Sequence, residues 1–263
     1  GEPSTPRPAD DKPSPLMGLN SDAISTMSEI YLIRHGQASF GARNYDRLSE
    51  TGRRQADVLA RFLKNHGILF DAVYTGDMAR QRDTAASVCR PSGGHPEDGE
   101  GYVVMPAFNE YAHTALIEAQ VRQASSPARQ RDRLKTELVK DMRAFQAYFS
   151  ETVHQWMAGA FDTEPGVERW PDFCRRVMGG VDQIMAAQGG GKRLAVFTSG
   201  GAISVVLKAV LDLSDPKAAE ISWQIHNASL TCLKYTAERL SLTMFNNTTH
   251  LLIEGDPALL TLR

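Results

Sequence analysis

The chain has 263 residues, enough for one large α/β domain with a sizeable core. Hydrophobic residues make up 42% and charged residues 23%, and 29 basic against 31 acidic side chains leave a formal net charge of −2, which excludes a general nucleic-acid binder dependent on a basic excess. The longest apolar stretch, residues 202–211, is interrupted by Ser204 and Lys208 and is far too short for a membrane span.

Residues 1–26 are dense in Pro, Ser and Asp and poor in large apolar groups, so they bury too little surface to offset their ordering entropy. They are read as a disordered tail or an expression-vector scar, with a single domain over 27–263. The β-branched and aromatic run at 30–33 predicts a buried parallel strand that ends in Arg34, His35 and Gly36. A helix follows, with Thr51 as its expected cap, Val58, Leu59, Phe62 and Leu63 at helical spacing, and Gly67 as its stop. A second strand over 71–74, a helix over about 78–89 ended by Pro91, a loop over 91–101 and a third strand over 102–105 come next. Residues 116–188 show no strand pattern. They read as a charged helical cover over the strand ends, broken near 125–127 and 163–166. A buried strand over 194–197 leads into an apolar helix over 202–211, and 229–235 and 240–245 form a hairpin turning near Ala237 and Glu238. This order predicts an α/β protein: a three-layer α/β/α sandwich with a mostly parallel central sheet and a helical insertion over the active site.

Polar clusters fall at the carboxyl ends of three predicted strands, where α/β proteins bind ligands. They are Arg34 with His35 and Gly36, Arg80 on the first turn of its helix, and Thr198, Ser199, Gly200 and Gly201 at another helix start. Guanidinium groups bind phosphate oxygens bidentately, helix N-termini attract anions, and a neutral imidazole is a competent nucleophile at phosphorus. Each cluster alone reads as a turn or a solvated charge; their conjunction points to a pocket for a dianion. His226 and His250 read as structural histidines, and His66 and His154 as solvated ones. Arg122, Arg129, Arg131 and Arg133 could reach a polyanion, although a charge run on a helix is usually a solvated face. Trp156 and Trp170 read as packing residues that could also border the pocket. Cys89, Cys174 and Cys232 are odd in number and widely spaced, which supplies neither a disulfide framework nor metal-ligand spacing and suggests a reducing cytoplasm.

The run Ile30-Tyr31-Leu32-Ile33-Arg34-His35-Gly36-Gln37-Ala38 resembles the signature of the histidine phosphatase superfamily, the phosphoglycerate-mutase-like proteins. Leu48-Ser49-Glu50-Thr51-Gly52-Arg53-Arg54-Gln55-Ala56 is similar to the segment that follows it there. Tyr74-Thr75-Gly76-Asp77-Met78-Ala79-Arg80-Gln81-Arg82-Asp83-Thr84-Ala85 resembles the second block, Phe108-Asn109-Glu110-Tyr111 the block bearing the acid, and Asn227-Ala228-Ser229 with the final hairpin is also similar. The similarity runs over about 29–263 and is weakest over 116–170. It implies a metal-independent and cofactor-free phosphomonoesterase: His35 would carry the phosphoryl group, and Glu110 would act as proton donor and then base. Arg34, Arg80, Ser199 and Gly200 would hold phosphate, with Gln37 and His113 toward the substrate. Where the family has a second histidine this chain has Ser199, which brings one short donor and no positive charge. The resemblance therefore implies reduced activity, with a catalytically weak phosphate-ester sensor or scaffold as the alternative and a phosphoglycerate-type mutase less favoured. The expected partner is a small phosphorylated substrate or inorganic phosphate, with no nucleic acid or membrane, and with oligomeric state open, a homodimer included.

Overall fold

The computed structural model describes residues 28–39, 46–89, 101–134 and 141–262; the expectations for residues 1–26 and for most of the loop over 91–101 fall outside the described residues. Strand β1 (Ser28–Arg34) is apolar on both faces, and so is its neighbour later in the chain, residues 193–198. Ile30, Leu32, Leu194 and Val196 enter one core, while Ile33, Ala195 and Phe197 enter another. Strands buried on both sides belong at the centre of a covered sheet. With β2 (Ala72–Thr75), β3 (Val103–Val104), β4 (Arg193–Thr198), β5 (Leu230–Tyr235) and β6 (Leu240–Asn247), the order is β3-β2-β4-β1-β5-β6. The pairs among the first four in that order are parallel, and β5 and β6 are added antiparallel at the other side. Arg34 is level with Thr198, and Thr75 with Phe197, so the carboxyl ends of β1, β2 and β4 open on one edge.

In chain order the helices are α1 (Glu50–Asn65), α2 (Ala79–Cys89), α3 (His113–Gln123), α4 (Pro127–Arg133), α5 (Met142–Met157), α6 (Trp170–Gln188), α7 (Gly200–Leu211), α8 (Asp215–Ser222) and α9 (Thr249–Leu252). Leu59 and Leu63 of α1 and Ala85 of α2 cover one face of the sheet. Phe173, Val177 and Val181 of α6, with Ile203 and Val206 of α7, cover the other, which completes the expected three layers. Leu116 and Ala119 of α3 and Val153 and Trp156 of α5 join that second core, so the helical insertion is fastened to α6. Trp156 and Trp170 are the fasteners: their rings meet edge-on at 5.2 Å inside the core. Helix α8 is not announced by the sequence pattern.

Helix α1 starts two residues earlier than Thr51 would have it. Its cap is Ser49, whose Oγ accepts from the Gly52 N–H at 3.0 Å. The same hydroxyl donates to Gln37 Oε1 at 2.8 Å, so the loop after β1 selects the cap, a contact invisible in the helix's own residues. Gly67 ends the helix with φ +63°, as its glycine suggests. Among the described residues no helix is long and apolar enough to cross a membrane.

Candidate active site

His35 follows β1 directly and is only 5% exposed. Its N–H donates to the Thr198 carbonyl at 2.9 Å, and its carbonyl accepts from Ala228 N at 3.2 Å and Asn227 Nδ2 at 3.1 Å. With both main-chain groups taken, the ring is held in place. Nδ1 lies 2.7 Å from the Gly36 carbonyl and so carries the proton, which leaves the lone pair on Nε2, where Arg80 Nε donates at 3.0 Å. Burial pushes His35 well below the usual imidazole range, and the Arg80 and Arg34 guanidinium groups add to that, so the ring is neutral near pH 7.

Arg80 owes its position to the start of α2. Asp46 Oδ1 accepts from Arg80 Nη1 at 2.6 Å, while Asp46 Oδ2 accepts from Ala79 N at 2.8 Å, so one carboxylate fixes both the guanidinium and the helix terminus. One turn on, Thr84 Oγ1 accepts from the Gly36 N–H at 3.0 Å and donates to the Arg80 carbonyl at 2.7 Å. Arg34 Nη1 donates to the Ile225 carbonyl.

Glu110 is delivered by the 3-10 turn Pro106–Phe108. The Phe108 carbonyl accepts from Thr198 Oγ1 at 2.6 Å and from Gln81 Nε2 at 3.2 Å, pinning this segment to the ends of β4 and α2. The Glu110 carboxyl accepts from Gly201 N at 2.9 Å and Tyr111 N at 3.2 Å. A Cβ at position 201 would stand 2.2 Å from Glu110 Oε1, so only glycine admits the acid there. Burial raises the Glu110 carboxyl above its ordinary range, partly opposed by the Gly201 N–H and by Arg80.

Arg34, His35, Arg80, Glu110, His113 and Gly200 share the wall of one cavity of about 140 Å³. Burial, then Arg80, holds His113 below the usual imidazole range. Two expected site residues are not on that wall. Ser199 is 1% exposed, and its Oγ accepts from Gln81 Nε2 at 2.9 Å, which turns the hydroxyl toward α2. Gln37 is taken up by Gln55 Oε1, which accepts from its N–H at 2.8 Å, and by Ser49. Trp156 and Trp170 also stay off the cavity, being core residues. Arg122 pairs with Glu164 at 2.8 Å, and Arg129, Arg131 and Arg133 are exposed away from the cavity. His66 and His154 are exposed, as expected. His226 is bonded through its N–H to Asn246 Oδ1 at 2.8 Å, and His250 is buried beside Phe62 with ring centroids 5.6 Å apart. Sequence reasoning missed Asp46, Gln81, Thr84 and Asn227. Gln81 and Thr84 carried a signal as members of the block holding Arg80, and Asn227 as part of the run 227–229 that also resembles the family; Asp46 carried none. Among the described residues no group of three or more His, Cys, Asp or Glu is placed to hold a metal ion.

Residues 30–137 and 136–248 match the family model of the histidine phosphatase superfamily (branch 1). A broad-specificity phosphatase of Saccharomyces cerevisiae is 24% identical over 233 residues, covering 84% of this chain and 86% of that protein. The crystal structure of phosphoglycerate mutase from Bacillus anthracis is similar with a TM-score of 0.58 and 19% identity, over 89% of this chain and all of the other. A mutant phosphoserine phosphatase from Entamoeba histolytica in complex with phosphoserine is similar with a TM-score of 0.56 and 16% identity, over 86% of this chain and 100% of the other.

Proposed function

Because the chain belongs to the histidine phosphatase superfamily, branch 1, we propose that it hydrolyses phosphate monoesters through a phosphohistidine on His35. The observation that carries this reading is the neutral His35 ring, whose Nε2 lone pair meets Arg80 Nε at 3.0 Å in the cavity that also holds Glu110. An incoming phosphoryl group takes over the Arg80 donor, with Arg34 and the start of α7 at Gly200 as further positive groups. Nε2 then attacks phosphorus, the bond to the ester oxygen breaks, and protonated Glu110 gives that oxygen its proton, releasing the alcohol. The Gly36 carbonyl, accepting from Nδ1–H, stabilises the positive charge on the phosphorylated ring. Water attacks phosphorus next. Glu110 removes its proton, the P–N bond breaks, and the lone pair returns to Nε2.

Ser199 stands where the resemblance places a second histidine and does not line the cavity, so this reading gives the site one transition-state donor fewer than the family pattern. Such a loss lowers rates roughly 10²–10³-fold. The same observation favours the second reading, a phosphate-ester sensor or scaffold that binds without efficient turnover. Among the described residues the cavity wall offers no third cation for the second phosphate of a mutase cycle. The three cysteines are free, and burial lifts the Cys89 and Cys174 thiols to about 11, which makes them poor nucleophiles.

Steady-state hydrolysis of several phosphomonoesters by the wild type and His35→Ala, with trapping of labelled phosphohistidine, tests the proposal. Turnover and label are expected in the wild type and absent from the variant. Equal background turnover in both would defeat it, and thermal stabilisation by inorganic phosphate without turnover would select the sensor.

A further inference from the structure

The remainder of the cavity wall is of a different kind. Ile117 from α3, Phe145 and Phe149 from α5, Trp223 at the end of α8 and Leu262 form much of it, beside the hydroxyl-bearing Tyr111 and Ser222. The Phe145 and Phe149 rings lie within 10° of parallel with centroids 6.2 Å apart, and Trp223 meets Phe149 edge-on at 5.5 Å. These three rings are half-buried and border open space, unlike the core pair Trp156 and Trp170 at 0% and 4% exposure. They come from two separate elements, so the wall exists only in the folded chain. Rings left bordering a cavity are a surface for another flat apolar group, and here the cavity's other wall holds the phosphoryl site.

The charges in the cavity agree with this. Among its described lining residues the cationic side chains are Arg34 and Arg80, and Arg80 is already shared with Asp46 at 2.6 Å. His113 is the nearest further candidate, and burial keeps it neutral. Two guanidinium groups match one phosphoryl dianion; a carboxylate or second phosphate on the same substrate would be desolvated without a partner.

We propose that the Phe145, Phe149 and Trp223 wall selects phosphate monoesters of flat, uncharged, apolar alcohols over esters bearing a second anionic group. This rests on the hydrolase reading of the site and names the substrate class it takes.

The test compares esters of primary alcohols, so that leaving-group ability is nearly matched: benzyl phosphate against glycerol 3-phosphate and 3-phosphoglycerate. The kcat/KM for benzyl phosphate is expected to exceed both by at least about tenfold, the scale of selectivity an apolar pocket gives. In Phe149→Ala that ratio falls toward one, and Phe149→Leu restores part of it. Equal or better turnover of either comparison ester by the wild type would overturn the proposal. So would a ratio that Phe149→Ala leaves intact in a folded protein. Because Phe149 also touches the second core, affinities of benzylphosphonate and methylphosphonate for the unaltered protein give an independent reading. A preference of about tenfold for the benzyl compound supports the wall, and equal affinity overturns it. These phosphonates are not hydrolysed, so the wall is read even if no ester is turned over, an outcome that defeats the hydrolase reading alone.

Discussion

Burial moves His35 and Glu110 in opposite senses, and both movements suit the reaction proposed for this site. The nucleophile must be neutral, and His35, lowered by burial and by the arginines, loses its proton well below pH 6.5. The acid must be protonated, and Glu110, raised by burial, keeps its proton above the ordinary carboxylate range. Activity should therefore have an acid limb from His35 and the substrate's own ionisation, and an alkaline limb as Glu110 gives up its proton. In Glu110→Gln the alkaline limb is expected to vanish for an alkyl phosphate, with kcat/KM lowered roughly 10²–10⁴-fold. An aryl phosphate, whose leaving group needs no proton, should lose less. pH–rate profiles of both esters check this, and an alkaline limb that survives in the variant would remove Glu110 from the proton-donor role.

At the level of elements, the loop after His35 and the start of α1 are in contact through two glycines. A Cβ on Gly52 would stand 2.1 Å from the Gln37 carbonyl oxygen, and one on Gly36 would stand 2.4 Å from the Gly52 carbonyl oxygen. No side chain moves aside there, because both obstacles are backbone. The close approach lets Ser49 cap α1 while holding Gln37, so the helix terminus and the loop after His35 are one unit. Gly52→Ala should therefore push β1's loop away from α1, costing about 1–3 kcal/mol by overpacking. It should also lower kcat/KM by roughly 10²-fold through misplacement of His35. Urea unfolding and steady-state kinetics measure the two effects; full activity in the variant would mean that α1 does not position the nucleophile.

For the whole molecule, pH acts on stability through buried histidines, and one of them lies outside the cavity. His250 of α9 is fully buried beside Phe62 of α1, and burial lowers it to about 4. Its folded-state value is below its unfolded one, so between about pH 6.5 and 4 the unfolded chain binds the extra proton. Stability is thus intact above pH 6.5 and declines as pH falls toward 4. From pH 7.5 to pH 5 this single group should remove about 2 kcal/mol. His250→Leu, which cannot titrate, should lose that much less over the same interval in urea titrations. Equal losses in both proteins would show that acid sensitivity lies elsewhere.

Much of this arrangement is written locally. The apolar runs of β1 and β4 demand a doubly covered sheet, and the polar residues placed directly after them must emerge at its carboxyl edge. Arg34, His35, Arg80, Glu110 and Gly200 were legible for that reason, since each is tied to the end of an element that its neighbours specify. Ser199 and Gln37 lie off the cavity wall because hydrogen bonds to other segments decide where their side chains go. Gln81, 118 residues away in sequence, holds the Ser199 hydroxyl, and Asp46 reaches Arg80 across 34 residues. The aromatic wall has the same origin: Phe149 and Trp223 carry no pattern that separates them from Trp156 and Trp170, and only packing sends one pair to the cavity and the other to the core. Sequence alone thus determined the layered fold and the polar groups gathered at its carboxyl edge, through short-range periodicity and burial. The tertiary structure decided the histidine's tautomer, the partners of its arginine and the aromatic character of the cavity's far wall, because each depends on atoms that meet only when distant segments close.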